Sequence, residues 1–249
     1  FMSPALAAHT GPSMVGVDMA TNLAEMRLYN ALGQALQSSR GPVAEVESSY
    51  RKARELSDAA DETREWVRAS YGLWFCRNWR MEHVEARRSA EELLSRVAHG
   101  DDSALVLQAH HAAWTTAWQL GTLHDAVKHA ETGRSIYRPE QHHVFTAIES
   151  SHDAGVCCRN TLGIANTLLG HIDRGAAEGA DGEALARRVG HPFSRALSLF
   201  FCSNIHLLRG EVDITAGLAR ELSGLCGQLG IGVYGLVGHK THCKMCLVV

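Results

Sequence analysis

Apolar residues recur at three-to-four-residue spacing along most of this chain. Between 18 and 37, Leu23, Met26, Tyr29 and Gly33 keep that period. Val46, Tyr50, Ala53 and Leu56 keep it within 43–59, and Trp66, Ser70, Leu73 and Trp74 line one side of 61–78. That spacing predicts amphipathic helices, with Asp18 and Asp61 as candidate N-caps. No segment alternates apolar and polar residues between hairpin turns, so no strand is predicted. The chain reads as all-α.

Short turns recur at Arg40-Gly41-Pro42, Trp79-Arg80-Met81, Leu120-Gly121-Thr122, Leu169-Gly170-His171 and Arg209-Gly210-Glu211. Positions 41, 81, 121, 170 and 210 are separated by 40, 40, 49 and 40 residues. Five residues past the last four turns stand Ala86, Ala126, Gly175 and Thr215 (or Ala216 one further on), small side chains that let paired helices approach. A period near 40 predicts a tetratricopeptide-like α-solenoid: about five helix pairs in a right-handed superhelix. The nine-residue excess falls in 138–153, a longer connection between repeats. The expected organisation is an irregular lead at 1–17, repeats over 18–238 and an anomalous tail at 239–249.

Composition then narrows the function. The 249 residues carry a formal net charge of −3, which argues against a phosphate-facing nucleic-acid binder. No apolar run spans a bilayer. Seven cysteines, an odd number, predict reduced buried thiols and a cytoplasmic setting. Adjacent Cys157 and Cys158 are expected to place at most one thiol in the core. No phosphate-binding G-x-x-x-x-G-K-[ST] loop is present, and no cofactor is expected.

Several stretches carry a family resemblance. They are Tyr137, Pro139, Glu140 and His142; His152 through Cys158; Leu168-Leu169-Gly170; Gly190-His191-Pro192-Phe193-Ser194 with Ala196 through Phe200; and Tyr50 through Leu56. Together, over roughly 25–238, the chain resembles the C-terminal tetratricopeptide-like region of bacterial multidomain signalling proteins. Those proteins join a class III adenylate/guanylate cyclase to an AAA-type ATPase. The resemblance implies a regulatory fragment without the catalytic domains. After His239 the chain departs from the family's pattern: two of its four lysines, Lys240 and Lys244, fall in the last ten residues, which suggests truncation or read-through.

The candidate chemistry centres on histidine, of which there are fifteen. His110, Trp114 and Trp118, at i, i+4 and i+8, share a helix face. With His111 they read either as the lining of a concave groove or as a repeat-packing stripe, the latter favoured. His142, His143, Glu149, His152 and Asp153 sit on the long connection, as a ligand cluster or, preferably, as turn and cap bonds with Asp153 an N-cap. The tail set His239, His242, Cys243 and Cys246 offers nitrogen and sulfur ligands, but adjacent ligands suit one tetrahedral zinc poorly. Ser49-x-x-Lys52 lies inside a repeat helix, where a chance match explains it.

These readings point to a non-catalytic sensor or interaction module. A peptide or protein partner, or a small-molecule effector, would sit in a groove lined by His110, His111, Trp114, Trp118, His142 and His152. The alternative is a small hydrolase acting on an ester, phosphoester or glycoside through His110, His152 and Asp153 or a bound metal. In the last helix Leu218, Leu222, Leu225 and Leu229 form an apolar stripe, from which an isologous dimer through the C-terminal end is expected.

Overall fold

A computed structural model describes residues 14–143 and 152–229. Ten α-helices follow one another: α1 (Met14–Arg40), α2 (Ala44–Ala59), α3 (Thr63–Trp79), α4 (His83–Val97), α5 (Ser103–Gln119), α6 (Leu123–Ile136), α7 (Ala154–Leu168), α8 (Ile172–Val189), α9 (Pro192–Leu208) and α10 (Val212–Leu229). Residues 139–143 are also helical, and no strand occurs among the described residues. The tail, the first thirteen residues and Glu149 lie outside them.

The helices form five antiparallel pairs, α1/α2 to α9/α10. Each first helix packs on the first helix of the next pair, and each second helix packs between its partner and the next first helix. Because the first helices contact one another in succession, they form the inner, concave row. The second helices form the outer row. This is the tetratricopeptide-like solenoid that the 40-residue period predicts.

Each turn within a pair carries one residue in the left-handed region, at the position the sequence marks: Gly41, Met81, Gly121, Gly170 and Gly210, with φ of 73°, 63°, 76°, 88° and 76°. At Gly121 the amide bonds to the Trp118 carbonyl and the Thr122 amide to that of Ala117. These bonds close the orphan carbonyls of the helix end. Met81 takes the same conformation with a side chain. The predicted small positions are all buried, with Ala86, Ala126 and Thr215 at 0% exposure. A Cβ on Gly175 would fall 2.7 Å from the Gly163 carbonyl oxygen and closer still to Thr167 Oγ1, so α7 and α8 meet there backbone to backbone.

Several local expectations need correction. The first helix starts at Met14, so Asp18 lies inside it. Asp61 is a left-handed turn residue (φ 52°), and Glu62 takes the N-cap position of α3. Cys157 and Cys158 are both buried, because α7 is packed by α5, α6, α8 and α9 together. In α10 Leu222 is buried against α9, with Leu218 and Leu225 partly buried beside it. The Leu229 side chain lies outside what the structure describes.

The largest apolar cluster joins Leu107, Trp114, Tyr137, Leu162, Leu197 and Ile205, spanning the third to fifth pairs. Outside it, ion pairs stitch the second helices together. Arg54 meets Glu92 at 2.8 Å, Arg134 meets Glu178 at 2.6 Å and Arg174 meets Glu131 at 2.6 Å.

Candidate functional site

Helix α5 is the centre of the inner row. Asp102 caps it by accepting from the amides of Ala104 and Leu105, and Arg64 pairs with that carboxylate at 2.7 Å. Both hold the Asp102 carboxyl below the usual range, against the opposing effect of its partial burial. On one side α5 meets α3, where Trp74 Nε1 donates to Thr116 Oγ1 at 2.8 Å. On the other it meets α7, where Trp114 Nε1 donates to Cys157 Sγ at 3.5 Å. Between these contacts, away from α4 and α6, lies the stripe Gln108, His111, Thr115 and Gln119, at helical spacing.

Buried side-chain atoms on this stripe lack a partner, Gln108 Nε2 and Oε1 and Gln119 Oε1, while the Thr115 side chain bonds the Cys157 thiol. On the flanking inner helices Asn78 Oδ1 and Asn160 Nδ2 also lack a partner. At the C-terminal ends of the first helices, Trp79, Leu168 and Leu208 are exposed at 39, 49 and 52%, each two residues before its turn. The inner face therefore alternates amide side chains with apolar ones.

The sequence-predicted residues divide. His110, Trp114 and Trp118 do share a face, but it is turned to the partner helix α6 and to the following repeats. His110 Nδ1 lies 3.0 Å from His129 Nδ1 of α6, Trp114 has no exposed surface, and the Trp118 ring lies 5.3 Å from that of Phe201. His111 and His142 are also buried, at 1 and 2%. His142 accepts from the Arg138 amide at 2.9 Å and bonds Ser103 Oγ at 3.0 Å, closing the long connection onto α5. Trp114, His111 and His142 thus offer no surface to a ligand in this conformation.

Asp153 is fully buried and caps α7 through Val156. Its Oδ2 accepts from Tyr137 Oη at 2.7 Å and lies 2.9 Å from His143 Nδ1, while its amide donates to Ser194 Oγ. Hence His110, His152 and Asp153 each engage a different partner and do not converge on a reacting atom. Ser194 also lies 2.9 Å from His191 Nδ1, but it is fully buried, with no room for a substrate.

One grouping escaped the sequence. His111 Nε2 lies 3.1 Å from His152 Nε2, and one ring nitrogen of each histidine lies within 4.8 Å of the other and of Cys157 Sγ. His111 stacks on Trp114 at 4.8 Å, and its Nδ1 lies 3.2 Å from Tyr71 Oη. Burial, with His152 adding to it, pushes the His111 imidazole well below its ordinary range, so the ring is neutral. Burial pushes the Cys157 thiol up to about 11. The 41-residue separation of the two histidines hid the group, although it is close to one repeat.

On the outer side a cleft of about 80 Å³ is lined by Glu91, Leu94, Thr116, Thr122, Asp125 and His129. No described helix is long and apolar enough to cross a membrane.

No protein-family model and no curated protein matches the chain. Solved structures do. The TPR-like repeats of a kinesin light chain protein from Podosopora anserina are 14% identical at a TM-score of 0.57, over 82% of this chain and 96% of that one. A Rap protein complexed with Competence and Sporulation Factor is 10% identical at 0.58, over 92% and 64%. A signal transduction ATPase with numerous domains and a tetratricopeptide repeat sensor, from Pyrococcus horikoshii, is 10% identical at 0.57, over 90% of this chain but 36% of that one. This chain spans under two thirds of the latter two. These likenesses are of fold.

Proposed function

We propose that this protein is a non-catalytic interaction module that holds a peptide or protein segment along its inner row of helices. One observation carries the reading: Trp79, Leu168 and Leu208 are exposed at corresponding positions of three inner helices, and Gln119, half-buried with an unpartnered Oε1, holds that position on α5. Such a shielded polar atom costs about 1–3 kcal/mol when left unpaired. A bound segment supplies the missing donor from its backbone, while Trp79, Leu168 and Leu208 receive its apolar side chains. The Rap structure complexed with Competence and Sporulation Factor shows that this fold accommodates a partner of its own. The sensor repeats of the Pyrococcus horikoshii protein agree with a regulatory role inside a larger signalling protein, such as the cyclase and ATPase architecture the sequence resembles.

A fluorescent peptide array probed with the purified chain tests this. Gln119→Arg on the stripe and Trp79→Ala at its edge should abolish or weaken capture without lowering the melting temperature by more than a few degrees. Binding that survives Gln119→Arg and is lost on changing Glu91 or His129 would move the site to the outer cleft and refute the proposal.

A further inference from the structure

We propose that His111, His152 and Cys157 form a zinc site that clamps α5 to the start of α7. The two Nε2 atoms are 3.1 Å apart, against roughly 3.3 Å between two imidazole nitrogens on one tetrahedral zinc. Sγ needs to stand roughly 3.6 Å from each nitrogen. One ligand atom from each of the three residues lies within 4.8 Å of the other two, so shifts on the order of 1 Å close the set.

The surrounding groups have the arrangement a metal site needs. Ligating imidazoles usually donate their second nitrogen to an outer partner that fixes the tautomer. Tyr71 Oη stands 3.2 Å from His111 Nδ1, placed to accept that hydrogen and leave Nε2 bare. Trp114 Nε1 donates to Cys157 Sγ, a bond that steadies a thiolate. Zinc binding displaces the Cys157 thiol proton to solvent, leaving the thiolate on the metal.

Donor chemistry selects the ion. Two imidazoles and a thiolate suit zinc, whereas magnesium and calcium require oxygen ligands. The fourth position is open to water on the side of half-buried His152, since His111 and Cys157 are enclosed. Sequence separations of 41 and 46 residues from His111 to His152 and Cys157 mean that the ion would pin the joint at the longest inter-repeat connection.

Cobalt(II) titration of the full-length protein, expressed and stripped of metal, is the test. One equivalent should give a thiolate-to-cobalt charge-transfer band and tetrahedral visible bands, and zinc should displace both. Cys157→Ser should abolish the charge-transfer band and His152→Ala should weaken zinc affinity at least about tenfold. Cys158→Ser, and the tail variant Cys243→Ser/Cys246→Ser, should leave the band intact. Should Cys157→Ser fail to fold, alkylation of the unaltered protein decides: zinc should protect Cys157 from iodoacetamide at the peptide level. A band that survives Cys157→Ser and vanishes in the tail variant overturns the site. So do Cys157 alkylation rates unchanged by zinc, and retention of copper(I) with no zinc binding at micromolar concentration.

Discussion

The indole of Trp114 fills the space that a side chain on Gly133 would need. A Cβ there would fall 3.0 Å from Cη2 and closer still to Cζ3, and the ring is fully enclosed. Gly133→Ala should therefore destabilise the fold by about 2 kcal/mol, lowering the melting temperature by roughly 4–8 °C. At Gly217 a Cβ meets nothing within 4 Å, and Gly217→Ala should stabilise α10 by about 0.5–1 kcal/mol. Thermal denaturation of the pair separates crowding from intrinsic helix preference.

The five equivalent turns allow a test in opposite directions. Met81 is 69% exposed, so shortening it loses little packing, and its φ of 63° suits glycine. Met81→Gly should stabilise by about 0.5 kcal/mol, whereas Gly121→Ala should cost about 1 kcal/mol. Chemical denaturation with an unchanged m-value would confirm that only the native turn is affected.

Acid should weaken the fold through its histidines. Burial, helped by His129 and Lys128, pushes His110 down to about 4, and burial lowers His111, His129, His142 and His191 as well. The unfolded imidazoles, near 6.5, bind protons that the folded ones refuse. Stability is thus fully present above about pH 6.5 and is lost as pH falls toward 4. Each histidine contributes a slope of up to about 1.4 kcal/mol per pH unit within its own window. Denaturation midpoints between pH 8 and 4 should fall accordingly, and His110→Gln should flatten the curve.

Tyr137 and Asp153 should be energetically coupled. Tyr137→Phe leaves Asp153 Oδ2 without its 2.7 Å donor and should cost about 1–3 kcal/mol. Asp153→Ala also removes the cap of α7 and the contact with His143, for a loss of about 3 kcal/mol. In a double-mutant cycle the pair should show a coupling above about 0.5 kcal/mol. Simple additivity would contradict the shared network.

The repeat was legible because its signals are local. A left-handed residue must end each first helix, and glycine or a tolerated substitute shows the position directly. Small residues at the closest approach of each pair are equally visible. Direction was harder. The face shared by His110, Trp114 and Trp118 is plain from spacing, but which neighbour it meets depends on the placement of α6, α7 and α9. The His111, His152 and Cys157 group was invisible for a related reason: its members sit on different repeats, and no short motif records their meeting. Asp153 was readable as a cap because capping is a contact over three residues.

Exposed ion pairs link successive repeats on both rows of the solenoid, Arg64–Asp102 on the inner and Arg54–Glu92 on the outer, and the inner row adds buried neutral bonds beneath them. Buried neutral bonds such as Trp74–Thr116 and Asp153–Ser194 tie successive first helices, while exposed pairs such as Arg54–Glu92 and Arg174–Glu131 tie the second helices. Ionic screening slackens the exposed pairs and leaves the buried bonds almost untouched. Rising ionic strength should then loosen the outer row more than the inner one, a change of curvature that small-angle scattering across a salt series would read.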